Sequence, residues 1–169
     1  MLTDSNLFRR IQLQLLMDLT ARAFGRKPLR IWTLPCGEAL RTYAAYTHDH
    51  LQAEPDEALL RRMNEEAYSM GRRLRRLFRI RRQEEAERLV VQLYRNIGIC
   101  LEGHIPGQLC FRKCFFSRYY TPAVCQAASA LDDGIIRGLS GCGPLRFEQR
   151  ITEGCPCCLA RTEEGVEII

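Results

Sequence analysis

Nine cysteines mark this chain of 169 residues, and seven of them fall between Cys110 and Cys158. Five lie from Cys125 to Cys158, in company with Asp132, Asp133 and Glu148. Thiolates and carboxylates are ligands that zinc accepts, and four thiolates suit an iron–sulfur cluster. Cys155 and Cys158 stand at the C-x2-C spacing of a metal knuckle. No second C-x2-C completes it, so the other ligands must come from Cys125, Glu148, Cys114 or Cys142. Cys110, Cys114, Cys155 and Cys158 are the set for an iron–sulfur cluster. Without a metal, the same residues offer Cys125 or Cys158 as a nucleophile and Asp132 or Glu148 as a general base. No P-loop, dinucleotide fingerprint, nucleophile elbow or His-Glu-x-x-His motif is present. Three histidines in all suggest no Ser-His-Asp triad.

The totals set the context for this chemistry. A length of 169 residues predicts one domain over 1–169, mainly helical over 1–101 and cysteine-rich over 108–163. No apolar run reaches the ~18 residues of a membrane span. The N-terminal residues lack the basic-then-apolar pattern of a secretory leader, so a cytoplasmic protein is expected. In a reducing compartment, clustered cysteines point to metal or thiol chemistry rather than a disulfide framework. Cys36, Cys100 and Cys110 are expected to be small buried apolar residues. The net charge of +5 comes largely from the arginines between Arg72 and Arg82. That run has no interleaved aromatic platform, so nucleic acid is not an expected partner.

The elements that must position the thiols follow from periodicity. Asn6 to Phe24 reads as a helix with Leu7, Ile11, Leu15, Leu16 and Leu19 inward, Asp4 or Ser5 as cap and Gly25 as stop. Leu29 to Leu34 is a short strand or loop, and Glu38 to His50 a second helix. Leu60, Met63, Ala67, Met70, Leu74 and Leu77 follow a seven-residue pattern, which serves a core face or a homodimer seam along the 60–77 helix. Gln83 to Leu101 reads as one more helix, ended by the loop at His104. Leu109 to Phe116 alternates as a strand with Cys110 and Cys114 on one face. Thr121-Pro122 starts a helix to Leu139, with Cys125 and Asp132 along one stripe. Leu145 to Ile151 and Cys157 to Thr162 form a final hairpin, in which Cys157 and Cys158 face opposite ways. The expected fold is α+β: N-terminal helices on a small antiparallel sheet, with a C-terminal helix–hairpin unit.

The run Cys125…Asp132…Gly138-Leu139…Leu145-Arg146-Phe147-Glu148…Gly154…Cys158 resembles the end of the L-2-amino-thiazoline-4-carboxylic acid hydrolase family. It is also similar to the 4-vinyl-reductase domain, a small-molecule-binding module with a Glu-x2-Cys-x2-Gly-x3-Cys tail. Cys125, Glu148, Gly154 and Cys158 match that tail, whereas Ile151 occupies the place of its middle cysteine. The resemblance implies a pocket between helices and sheet that takes a small-molecule ligand or substrate. One implied function is a hydrolase that opens a C–N or C–S bond of a small cyclic substrate, with Asp132, Glu148 and Cys125 catalytic. The other is a non-catalytic sensing domain with a zinc site of Cys125, Glu148, Cys155 and Cys158.

Overall fold

In the computed structural model, which describes residues 5–165, side-chain caps set most of the helix starts. The Ser5 hydroxyl accepts the N–H of Phe8 and opens α1 (Asn6–Phe24), which stops at Gly25 in the left-handed region. Asp4, the alternative cap, lies outside the described residues. After Pro35 comes α2 (Cys36–Leu51). Asp56 accepts the N–H of Leu59 and starts α3 (Glu57–Leu77). Glu85 folds back over the start of α4 (Gln83–Asn96), and the N–H groups of Arg81 and Arg82 hold its carboxyl at about 2. Thr121 and Pro122 open α5 (Pro122–Ser140), as the sequence predicts.

Four strands make one antiparallel sheet: β1 (Ile99–Gly103), β2 (Gly107–Cys114), β3 (Leu145–Gln149) and β4 (Cys158–Thr162), in the order β1-β2-β4-β3. The fold is therefore α+β as expected, with the helices followed by the sheet and the α5–hairpin unit. Among the described residues, no helix is long and apolar enough to cross a membrane.

Several expectations need correction. The helix predicted to reach Leu101 ends at Asn96, because Gly98 takes a left-handed conformation and Ile99 to Gly103 pairs with β2 instead. Leu29 to Leu34 is a loop, tied down where the Gln14 side chain accepts the N–H groups of Ile31 and Trp32. The predicted α1 stripe is rotated: Leu7, Ile11 and Leu15 are exposed, while Gln12, Leu13, Leu16 and Met17 are buried. Gln12 can enter the core because its amide donates to the carbonyl of Leu93 and accepts from Asn96. Cys100 is exposed, Cys36 and Cys110 are half-buried, and the buried thiols are Cys142 and Cys158. In the 60–77 pattern, Met63, Ala67 and Leu74 pack in this chain's own core, while Leu77 is exposed.

Two bulges break the strand alternation. Leu101 pairs with Phe111 but Cys100 pairs with Lys113, so Arg112 is an extra residue on β2. Phe147 pairs with Ala160 but Gln149 pairs with Leu159, so Glu148 is an extra residue on β3. A bulge re-aims every side chain beyond it.

The helical layer is closed by α3 against α5, where glycines bring the two backbones together. A Cβ on Gly134 would sit 2.4 Å from the carbonyl oxygen of Asn64, and one on Gly138 2.4 Å from that of Tyr68. On the other side, a Cβ on Gly71 would sit 2.5 Å from the carbonyl oxygen of Ile135. Asn64 donates to the carbonyl of Ala130 and the carboxylate of Asp133, and Arg75 to the carbonyl of Leu139.

Alanine in place of an unconstrained helical glycine adds up to about 1 kcal/mol of stability. At Gly138 the sign should reverse: Gly138→Ala is expected to cost about 1–3 kcal/mol through overpacking. Urea unfolding of the variant checks this, and a gain in midpoint would show that the helices are not in backbone contact.

Candidate functional site

The helix α5 turns one face to the sheet and another to α3, and its adjacent carboxylates divide between them. Asp133 is structural: it accepts from Asn64 of α3, from Arg137, and from the N–H of Leu145 where β3 begins. Asp132, about 100° around the helix, lines an interior cavity of about 100 Å³. Cys125, Ala128 and Ile135 share that face. The rest of the lining is largely apolar or aromatic, including Leu16, Leu74, Tyr43, Phe116 and Tyr120. Asp132 is its single charged residue.

The hydroxyl of Tyr94 donates to Oδ1 of Asp132 at 2.7 Å. Oδ2 receives no hydrogen bond from the described residues. Withdrawal from water pushes the Asp132 carboxyl up to about 6; the Tyr94 bond and the charge of Arg150 oppose that rise without cancelling it. The surrounding hydroxyls stay protonated. Burial, reinforced by the charge of Asp132, raises Tyr94 well above its usual range, and burial also raises Tyr120 and takes Tyr43 to about 12. The thiol of Cys114 is likewise pushed to about 12 by burial. A largely buried carboxylate that is half-ionised near pH 6 can donate or accept a proton where water is scarce.

The bulges bring two residues here that alternation places elsewhere. Beyond Arg112, Cys114 turns inward and lines the cavity, so Cys110 and Cys114 do not share a face. Beyond Glu148, Arg150 comes close enough to lower the carboxyl of Asp132, stacks 4.2 Å over the ring of Phe147 and donates to the Ser129 hydroxyl at 2.5 Å.

Of the residues singled out by sequence, Asp132 and Cys125 line the cavity, and Cys158 lies near enough to feel the charges of both. The Sγ of Cys158 accepts the N–H of Ile151 at 3.2 Å, and burial raises its thiol. Glu148 is elsewhere, on the exposed side of the hairpin, where it accepts from Arg161 at 3.1 Å. Cys155 is half-buried in the turn after Gly154. His104 is exposed in the β1–β2 loop, 3.4 Å from Glu87.

This placement does not fit the metals considered. Cys125 and Cys158 fall inside the fold while Glu148 pairs outside it. For an iron–sulfur cluster, Cys114 is inside while Cys110 lies on the other face of the sheet, between the exposed Gln108 and Arg112. Among the described residues, no group of three or more His, Cys, Asp or Glu side chains is placed to hold a metal ion.

Tyr94, Tyr43, Tyr120 and Gln12 belong to the site but not to any motif. Nothing in their spacing reveals that they meet Asp132 or its cavity.

A carboxyl raised on folding leaves stability intact below its unfolded value and loses it as pH rises through the folded one. For Asp132 the window runs from about 4 to about 6, and the penalty at higher pH is roughly 3 kcal/mol. Asp132→Asn keeps an acceptor for Tyr94 and removes the charge. The variant should melt above the wild type at pH 8 and converge with it near pH 4. Parallel melting curves across that range would show that the carboxylate is not held out of water.

Comparison with known proteins supplies no relative: no family model matches the sequence, and neither the curated proteins nor the solved structures contain a match.

Proposed function

We propose that this chain binds a small cyclic molecule in the interior cavity, through a nitrogen-bearing edge that meets Asp132. The observation that carries the reading is one unshared carboxylate oxygen in an otherwise apolar and aromatic cavity. A buried carboxylate is costly, and it is retained where it has a ligand or a proton to handle. A volume of about 100 Å³ admits a single small ring. Tyr43, Tyr94, Phe116 and Tyr120 offer ring faces that favour a cationic or N–H-rich guest. The amidine-like edge of an amino-thiazoline is a group of this kind.

The reaction that suits the same residues is hydrolytic opening of a C–S or C–N bond in such a ring. Water adds its hydroxyl to the ring carbon, and the departing sulfur or nitrogen takes a proton. Asp132, half-protonated near pH 6, supplies that proton. Cys125 lines the same cavity and can act on the ring carbon as a nucleophile. Glu148 has no part in this scheme, because it is engaged with Arg161 outside. A sensing role without catalysis uses the same pocket and needs no zinc site.

The test uses 2-amino-thiazoline, its 4-carboxylate and thiophene as an apolar ring of similar size. Saturable binding of the amino-thiazoline by calorimetry is expected, weakened at least tenfold in Asp132→Asn, with thiophene weaker still. Equal binding by wild type and variant would overturn the role of Asp132. Release of a free thiol from the carboxylate, lost in Asp132→Asn, separates the hydrolase from the sensor.

A further inference from the structure

The outer face of the sheet carries a second thiol arrangement, unconnected with the cavity. On β2, Leu109 and Phe111 are buried while Gln108 and Arg112 are exposed, so Cys110 lies on the outward side between them. Across the ladder Cys110 pairs with Leu159, and Phe111 pairs with Cys158. Cys157 precedes the inward-facing Cys158 and therefore turns outward, diagonal to Cys110. The two thiols thus lie near each other on the open face, and both remain half-exposed. Gln149 steadies the second from the neighbouring strand: its amide donates to the carbonyl of Cys157 at 3.2 Å and lies 3.6 Å from its Sγ. Arg112 supplies a positive charge beside Cys110, while pairing with Glu102 at 2.6 Å.

We propose that Cys110 and Cys157 are a reversible dithiol–disulfide pair on the open face of the sheet, oxidised by exchange with a small-molecule disulfide. In the first step one thiolate attacks the small disulfide, forming a mixed disulfide and releasing one small thiol. In the second the neighbouring thiolate attacks the protein sulfur of that mixed disulfide and releases the other small thiol. The protein loses two hydrogens, which leave on the two small thiols, and the small disulfide is reduced. Because both thiols stand near each other on one face, the second step is intramolecular. The resulting bond ties β2 to the start of β4, across a long stretch of chain that includes all of α5. Three other cysteines are placed differently: the Sγ of Cys142 accepts from the Ser140 hydroxyl, and Cys114 and Cys158 face inward.

The experiment equilibrates the full chain with mixtures of oxidised and reduced glutathione, traps free thiols by alkylation and maps the peptides by mass spectrometry. The expected result is a peptide linking Cys110 to Cys157, formed ahead of any other pair and reversed by excess reduced glutathione. Cys157→Ala should leave glutathione trapped on Cys110, and Cys110→Ser should leave it on Cys157. In both, circular dichroism should match that of the wild type, since each side chain lies outside the core. Independent alkylation of Cys110 and Cys157 at every ratio would overturn the proposal, as would an earlier link between any other two cysteines.

Discussion

The backbone contact between α3 and α5 is the constraint on which the rest depends. Gly71, Gly134 and Gly138 remove the side chains that would hold the helices apart. Close approach of this kind fixes both the distance and the rotation of α5, because turning it would drive a side chain into the backbone of α3. With rotation fixed, successive residues have separate fates. Asp133 meets Asn64 and the N–H of Leu145, and so joins α3, α5 and β3. Asp132 is left on the cavity side with Cys125. A helix free to roll by a few tens of degrees would blur that division.

The carboxylate at Asp132 works against the stability that the crossing supplies. Its neighbours do not neutralise it: Tyr94 gives one hydrogen bond, and Arg150 is engaged with Ser129 and the Phe147 ring. A purely structural carboxylate would resemble Asp133, whose two oxygens share three partners. This contrast between adjacent residues of the same type, on the same helix, is what the proposed role of Asp132 rests on.

The α+β order, the caps of α1 and α5 and the inward stripe that holds Cys125 and Asp132 were legible because they are local: hydroxyl or carboxylate caps, a proline in the first turn, and a period near 3.6. What was not legible is long-range. The alternation of β2 and β3 breaks at Arg112 and Glu148, and neither residue type announces a bulge. As a result Cys114 reads on the same face as Cys110, which it does not share. Glu148 looked like a site residue by spacing, yet it pairs with Arg161 on a neighbouring strand, a partner visible only once the hairpin register is known. The burial of Gln12 was not legible either, since a polar side chain enters the core only where a distant carbonyl and amide receive it.

The sheet sorts the thiols into two chemical environments. On its inner side, burial raises Cys114 to about 12 and raises Cys158, so both stay protonated and unreactive at neutral pH. Their neighbour Asp132 adds to that effect, because its negative charge disfavours a thiolate nearby. On the outer side Cys110 and Cys157 are accessible and have Arg112 nearby, while burial, and after it the neighbouring Cys157, raises the thiol of Cys110. One layer of backbone separates chemistry that depends on excluding water from chemistry that depends on admitting it.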